Sequence, residues 1–173
     1  MNYEIFGGFT IPRKPRKHAV ADPRDRRAFW DEVEAERVGL SAAVGCYVFA
    51  IRAGGGIVPW YVGRTCSQSF KNECFELHKL RHYDDVISGK RGTPLLYFAA
   101  RTTAGGKFTA SAPAKESQFL ESMLIGMALQ RNAELKNIVH ATFLKRLHVP
   151  GLINPRKGTP SRNVREFSSL FKS

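Results

Sequence analysis

The feature that most constrains the fold is a pair of β-rich runs with glycines between them. Gly45–Ile51 and Ile57–Val62 are rich in β-branched and aromatic residues, and Gly54-Gly55-Gly56 separates them. Two such runs around a short glycine-rich loop indicate an antiparallel β-hairpin. A third β-rich run, Pro94–Ala100, adds a strand. We therefore expect an α+β fold with a small, three-stranded, mainly antiparallel sheet flanked by helices.

Helices are expected around this sheet because apolar residues recur every three or four positions in the intervening segments. The predicted helices are Asp25–Arg37, Ser69–Ile87, Pro113–Gln130, a segment at about 139–147 and a short helix near the end of the chain. Their predicted apolar contacts are Phe29, Trp30 and Val33 in the first, Phe70, Cys74, Leu77, Leu80 and Val86 in the second, and Phe119, Leu120, Met123, Leu124, Met127 and Ala128 in the third.

Three zones are expected along the chain. Residues 1–40 form a basic N-terminal arm with a short helix, residues 41–148 form the core domain, and residues 149–173 form a basic C-terminal tail. Prolines disfavour a helix in the arm, and its positive charges suit either a phosphate backbone or bulk solvent. These charges are Arg13, Lys14, Arg16 and Lys17.

The charge balance favours a polyanionic partner. The chain has 27 Lys and Arg against 15 Asp and Glu, which gives a net charge of +12. A domain this basic is typical of proteins that bind nucleic acid, because each neutralised phosphate releases counterions. Cys46, Cys66 and Cys74 form no Cys-x-x-Cys pair, which fits a reducing cytoplasm. No secretory signal and no membrane-spanning run are expected.

Two tyrosines stand beside glycines on the predicted hairpin, in Gly45-Cys46-Tyr47 and Tyr61-Val62-Gly63. A tyrosine with a pKa near 10 is a poor base on its own. Beside a cation or a hydrated metal ion it can donate or accept a proton. The glycines allow another backbone, or a phosphate group, to approach closely. The hairpin is therefore the first candidate for a reactive site.

These motifs resemble the two-part signature of the GIY-YIG nucleases. Gly-Cys-Tyr is followed by Tyr-Val-Gly-Arg-Thr, and a later helix carries Glu121 in Glu-Ser-Met-Leu-Ile. Asn137 follows a Leu-Lys pair, as an asparagine does in the family. The resemblance covers roughly residues 44–138. It implies a GIY-YIG nuclease-like fold, with Gly45, Gly63 and Asn137 as structural residues near the site.

The resemblance also implies an activity, which is hydrolysis of phosphodiester bonds in double-stranded DNA by in-line attack of water. Glu121 is expected to hold one Mg²⁺ or Mn²⁺ ion, and without the resemblance it would be taken for a surface glutamate. Tyr47 or Tyr61 is expected to assist proton transfer. Arg64 and His78 are expected to contact phosphate, although His78 is equally well explained as a structural residue. Cleavage of both strands would need two sites, for example in a homodimer.

One departure from the family concerns the arginine expected about eight residues after Gly63, where this chain has Lys71. Lysine lacks the bidentate fork of arginine. Lys71 is expected to supply the charge itself or to lower the pKa of Tyr61 by its proximity, and Arg81, further along the same helix, to take the arginine's role beside it. The spacing puts Lys71, His78 and Arg81 or His82 on one helix face. Two alternative functions remain open. One is a binding module that keeps the fold but has weakened catalysis, and the other is a basic RNA-associated protein.

Overall fold

The computed structural model describes residues 2–13, 22–137, 142, 146–147, 149 and 159–170. In chain order the elements are β1 (Asn2–Thr10), α1 (Pro23–Glu36), β2 (Gly45–Ala53), β3 (Gly56–Thr65), α2 (Phe70–Glu73), α3 (Leu77–Gly89), β4 (Thr93–Thr102), α4 (Ala114–Arg131) and α5 (Arg162–Ser169). The α+β class is confirmed. The predicted helix at 139–147 falls mainly outside the described residues, and α5 confirms the short helix near the end.

The sheet has four antiparallel strands in the order β1-β4-β2-β3, so the prediction of three strands was wrong. The extra strand is Asn2–Thr10, which was expected to belong to a basic arm. It pairs with β4 from Asn2 opposite Thr102 to Thr10 opposite Leu95. Gly7 and Gly8 interrupt its alternation, and the register shifts between Gly7 and Phe9. This irregularity hid the strand's period of two.

The predicted hairpin is confirmed. Strands β2 and β3 pair from Gly45 opposite Thr65 to Ala53 opposite Gly56, with a register shift after Phe49. Because side chains alternate along a strand, the hairpin sends its two sets of residues to opposite faces of the sheet. Strand β3 lies at the edge of the sheet among the described strands, and none of them pairs with its outer side.

The two faces of the sheet pack against different helices. On one face Tyr47, Phe49 and Tyr61 join a large aromatic core that includes residues of α1, α2 and α3. On the other face Val62 packs against Ile125 and other residues of α4. The sheet is thus the middle of three layers. Among the described helices, none is long and apolar enough to cross a membrane.

The helix predicted over Ser69–Ile87 is interrupted, which corrects the expected arrangement of its side chains. It forms α2 and α3, and Phe75 lies between them. Phe75 is buried against Phe29 and Trp30 of α1, with ring centroids 5.0 and 5.5 Å apart. Glu76 has an extended backbone, with φ −63° and ψ 150°. Anchoring Phe75 in the aromatic core therefore takes precedence over helical continuity.

Helix α4 confirms the prediction for Pro113–Gln130, but its buried face differs from the one predicted. Phe119, Met123 and Met127 are exposed. The buried residues are Ser117, Ile125, Ala128 and Leu129. Apolar residues lie on more than one side of this helix, so periodicity alone did not select the face that contacts the sheet.

Candidate active site

The two tyrosines of the hairpin lie on the same face of the sheet, beside α3. Tyr47 is directly opposite Gly63, and the ring centroids of Tyr47 and Tyr61 are 6.3 Å apart. A Cβ atom on Gly63 would overlap the Tyr47 ring, and one on Gly45 would overlap the carbonyl oxygen of Ala99. Gly45 therefore permits the close approach of a neighbouring backbone, as predicted, whereas Gly63 makes room for an aromatic ring.

Tyr47 is completely buried. Its hydroxyl group has no hydrogen-bond partner among the described residues. Burial raises its pKa well above 10, and the neighbouring Tyr83 contributes in the same direction. Tyr47 is thus a neutral phenol at physiological pH that supports the hairpin from beneath. It does not reach the surface where a substrate would bind.

Tyr61 has a cation beside it, but the cation is neither Lys71 nor Arg81. Lys79 Nζ donates a hydrogen bond of 3.0 Å to the Tyr61 hydroxyl group. Glu73 holds the same ammonium group, with Oε1 3.2 Å from Nζ. The His82 ring stacks on Tyr61 at a centroid distance of 5.1 Å. A tyrosine, a lysine, a glutamate and a histidine therefore form one cluster, which we call the Tyr61 cluster.

Two members of the Tyr61 cluster, Lys79 and His82, have shifted pKa values. Burial lowers the pKa of Lys79, but the hydrogen bond to Tyr61 and the charge of Glu73 outweigh it, and the net effect is a raised pKa. Lys79 therefore remains an ammonium ion. Burial, followed by the charge of Lys79, lowers the pKa of His82, which is neutral at physiological pH.

The structure does not bring Lys71, His78 and Arg81 together on one helix face, because the helix is interrupted between them. Lys71 belongs to α2 and lines a groove against α1. His78 is more than half exposed, with Nδ1 3.4 Å from Glu76 Oε2. Arg81 is exposed on α3. The prediction of a shared face was therefore wrong for Lys71, whereas His78 and Arg81 lie three positions apart on α3.

Sequence reasoning missed Lys79 and Glu73, and it did not expect His82 to stack on Tyr61. The sequence pattern alone did not reveal Lys79, and in the structure it lies on α3, four positions before Tyr83, which is fully buried. Residues four apart share a helix face, so a lysine at this position must enter the core or its margin. Only 11% of its side chain is exposed.

Glu121 lies on the other face of the sheet, where α4 packs. Arg64 Nε donates a 3.0 Å hydrogen bond to Glu121 Oε2, and 14% of the Glu121 side chain is exposed. Glu121 lies between Ser117 and Ile125, which are both buried on α4, and is therefore not the surface glutamate that the helix pattern alone suggested. Burial, and then the charge of Glu121, raises the pKa of the nearby Cys46 thiol to about 12.

Asn137 holds the edge strand from outside. Its side chain accepts a 2.9 Å hydrogen bond from the Val62 amide and donates one of 2.7 Å to the Val62 carbonyl. Lys136 donates its backbone N–H to the Trp60 carbonyl at 2.8 Å. Val62 lies between Tyr61 and Gly63, so Asn137 fixes the strand that carries the site. Its predicted structural role stands, with the strand backbone as its partner.

Two arrangements of donor atoms can be compared with the needs of a divalent metal ion. Mg²⁺ is usually bound in proteins by one or two carboxylates, with water and phosphate oxygens completing its coordination, and Glu121 fits that pattern. Ligand atoms of Glu73, Glu76 and His78 lie within 4.8 Å of one another. An imidazole in the set suits a transition metal better than Mg²⁺. Glu73 is also paired with Lys79, whose charge opposes a cation there.

The predicted contacts of the N-terminal arm are only partly covered by the structure. Arg13 is exposed, beyond the end of β1. Lys14, Arg16 and Lys17 lie outside the described residues. All three cysteines are free thiols, and Cys46 and Cys74 are buried packing residues, as expected.

Comparison of this chain with protein-family models, with curated proteins and with solved structures gives no match.

Proposed function

We propose that this protein is a metal-dependent endonuclease of the GIY-YIG type that hydrolyses phosphodiester bonds in double-stranded DNA. The observation that carries the proposal is the Tyr61 cluster, in which a largely buried ammonium group donates to a tyrosine hydroxyl. The motif resemblance supplies the reaction class, and the net charge of +12 supports the polyanionic substrate.

In this proposal Tyr61 is the tyrosine that takes part in proton transfer with the attacking water. Its oxygen accepts a hydrogen bond from Lys79, and its side chain is 8% exposed. Tyr47 is a positioning residue, because it is buried beneath Gly63 and cannot reach a bound phosphate. Glu73 is also a positioning residue, since it holds Lys79 against the tyrosine.

Lys79 takes the role that the family gives to an arginine. A preorganised cation stabilises the negative charge that develops on the phosphate in the transition state. The structure favours Lys79 over Lys71 and Arg81 because Lys79 alone of the three contacts Tyr61 among the described residues. The substitution of lysine at position 71 is then no argument against catalysis.

Glu121 would hold the divalent metal ion, Mg²⁺ or Mn²⁺. A bound metal ion supplies Lewis acidity at the phosphate and stabilises the leaving oxygen. Arg64 orients the Glu121 carboxylate through its 3.0 Å hydrogen bond. Arg64 is also available to contact the phosphate, since a third of its side chain is exposed.

The two halves of the proposed site belong to opposite faces of the sheet and are joined by β3. Tyr61 and Gly63 point to one face, and Arg64 points to the other. On the outer side of β3, the Asn137 side chain forms two hydrogen bonds with the backbone of Val62. We place the scissile phosphate at the strand edge beyond Val62, and the proposal requires groups from both faces to meet it there.

A binding module with weakened catalysis is the second candidate. One observation favours it, which is that Glu121 is already engaged by Arg64. A divalent metal ion must compete with this guanidinium group for the carboxylate. Plasmid cleavage separates the two candidates, because only the nuclease cuts DNA.

The test is cleavage of supercoiled plasmid by the purified protein with Mg²⁺, Mn²⁺ or EDTA. The matched variants are Glu121→Gln and, as a control, Glu32→Gln at an exposed glutamate of α1. We expect metal-dependent nicking or linearisation that Glu121→Gln abolishes and the control retains. Linear product that depends on protein concentration would support a homodimer. Salt-sensitive binding without cleavage in any metal would overturn the nuclease and favour the binding module.

A further inference from the structure

The exposed side of α1 and the neighbouring α2 form a groove with an excess of positive charge, which we call the α1–α2 groove. Two adjoining cavities of about 330 and 380 Å³ share Arg27 in their lining. The charged residues that line them are Arg24, Arg26, Arg27, Lys71 and Asp31. Four cations against one carboxylate leave the groove basic.

The arginines of α1 are at the end of the helix where they stabilise it least. Arg24, Arg26 and Arg27 lie in the first two turns, whereas four of its five acidic residues follow from Asp31 onwards. The helix dipole favours the reverse order, with anions near the N-terminus and cations near the C-terminus. The helix dipole therefore does not account for the arginines, and the helix end adds to the positive potential of the groove.

The groove is built on firmly packed elements. Phe29 and Trp30 of α1 are buried in the aromatic core. The backbone N–H of Lys71 donates to Ser41 O at 3.0 Å, and that of Phe70 donates to Ala43 O at 2.9 Å. The backbone positions that carry the cations on the two helices are thus fixed relative to the core.

We propose that the α1–α2 groove binds the sugar-phosphate backbone of duplex DNA, with Arg27 and Lys71 as phosphate contacts. This proposal takes its partner from the proposed function. The groove adjoins the Tyr61 cluster through α2, which carries Lys71 on the groove side and Glu73 beside Lys79. Lys71 then anchors the substrate and leaves the role in catalysis to Lys79.

The experiment measures the affinity of the protein for a labelled DNA duplex in EDTA over a range of salt concentrations. The test variant is Arg27→Gln/Lys71→Gln. The control, Arg52→Gln/Arg91→Gln, removes the same charge at exposed positions near the far end of the sheet. Each phosphate contact contributes about 0.9 to the slope of log K against log salt. We expect the test variant to bind about tenfold more weakly, with a slope reduced by roughly 2. The control should keep the wild-type slope.

Stability provides an independent readout. A further variant, Arg27→Ala, removes the cation and adds no like-charge neighbour to Asp31, four positions later on α1. We expect its melting temperature to stay at that of the wild type while its DNA affinity falls as far as that of Arg27→Gln. A purely structural role for Arg27 predicts instead that the melting temperature falls.

The experiments give different results if the proposed DNA binding by the α1–α2 groove is wrong and if the proposed nuclease activity is wrong. Equal salt slopes for the two double variants would overturn the proposal that the α1–α2 groove binds DNA, whether or not the wild type cuts plasmid. Loss of binding only in the groove variants would support the groove, even if no metal ion produces cleavage. Absence of salt-sensitive duplex binding by the wild type would overturn both.

Discussion

At the level of single residues, Tyr47 and Tyr61 differ in what surrounds their hydroxyl groups. Tyr61 receives a hydrogen bond from Lys79, whereas the Tyr47 hydroxyl has no partner among the described residues. A buried hydroxyl without a partner costs free energy, so its removal need not weaken the fold. The two tyrosines are therefore separable by matched substitutions that remove only the hydroxyl oxygen.

We predict that Tyr61→Phe lowers the cleavage rate by about 10²–10⁴-fold, the usual contribution of a general acid or base. Tyr47→Phe should retain cleavage within about tenfold and should raise, or leave unchanged, the free energy of unfolding, by up to about 1 kcal/mol. Single-turnover kinetics and urea unfolding measure the two effects. Equal losses of activity in the two variants would show that Tyr47 also acts in the reaction.

The residues whose positions were predicted correctly lie on strands, where the alternation of side chains determines the face that each residue occupies. Tyr47, Tyr61 and both glycines follow from the hairpin and its period of two, so their pairing was predictable. Lys79 was not, because its position depends on the interruption of the helix at Phe75. That interruption arises from packing against α1, which is distant in sequence. Tertiary contacts of this kind leave no local signature.

At the level of elements, Asn137 anchors the edge strand that carries the site. We predict that Asn137→Leu lowers the free energy of unfolding by about 2–4 kcal/mol, because the Val62 N–H and C=O lose their buried partner. Urea unfolding measures the loss, and hydrogen exchange at the Val62 amide should accelerate. Asn163→Leu, at an exposed position of α5, is the control. Unchanged exchange at Val62 would show that Asn137 does not hold the strand.

Strand β1 is joined to α4 by a polar cluster that makes stability depend on pH. Glu116 accepts hydrogen bonds from Arg101 Nε at 3.0 Å and from the Tyr3 hydroxyl at 2.9 Å. The hydrogen bond from Arg101 is the main cause that lowers the pKa of Glu116. Burial, together with the hydrogen bond to Glu116, raises the pKa of Tyr3 to about 12.

A carboxyl group whose pKa is lower in the folded state stabilises the protein above its unfolded pKa. That stability disappears as the pH falls through the folded pKa. We predict that Glu116→Gln is less stable than the wild type at neutral pH and loses less stability on acidification below about pH 5. Thermal unfolding across this range measures the difference, with Glu32→Gln as the control. Parallel pH profiles for wild type and Glu116→Gln would contradict the assignment.

At the level of the whole molecule, an α+β sandwich places a tyrosine, a lysine and a buried glutamate around one edge strand. The class, the hairpin and three of the four strands were predictable because each has a local pattern. The first strand was not, since two glycines break its alternation. The face of α4 was also not predictable, and its orientation decides that Glu121 points to the sheet beside Arg64.

The central claim is that Lys79 supplies the cation beside Tyr61, and single-turnover cleavage of duplex DNA by matched lysine and arginine variants tests it most directly. We predict that Lys79→Met slows cleavage by about 10²–10³-fold at saturating protein, the usual loss for a transition-state donor. Lys79→Arg should recover part of the rate. Lys71→Met and Arg81→Met should remain within about threefold of the wild type under the same conditions. A loss in Lys71→Met or Arg81→Met, with the rate of Lys79→Met preserved, would contradict the account.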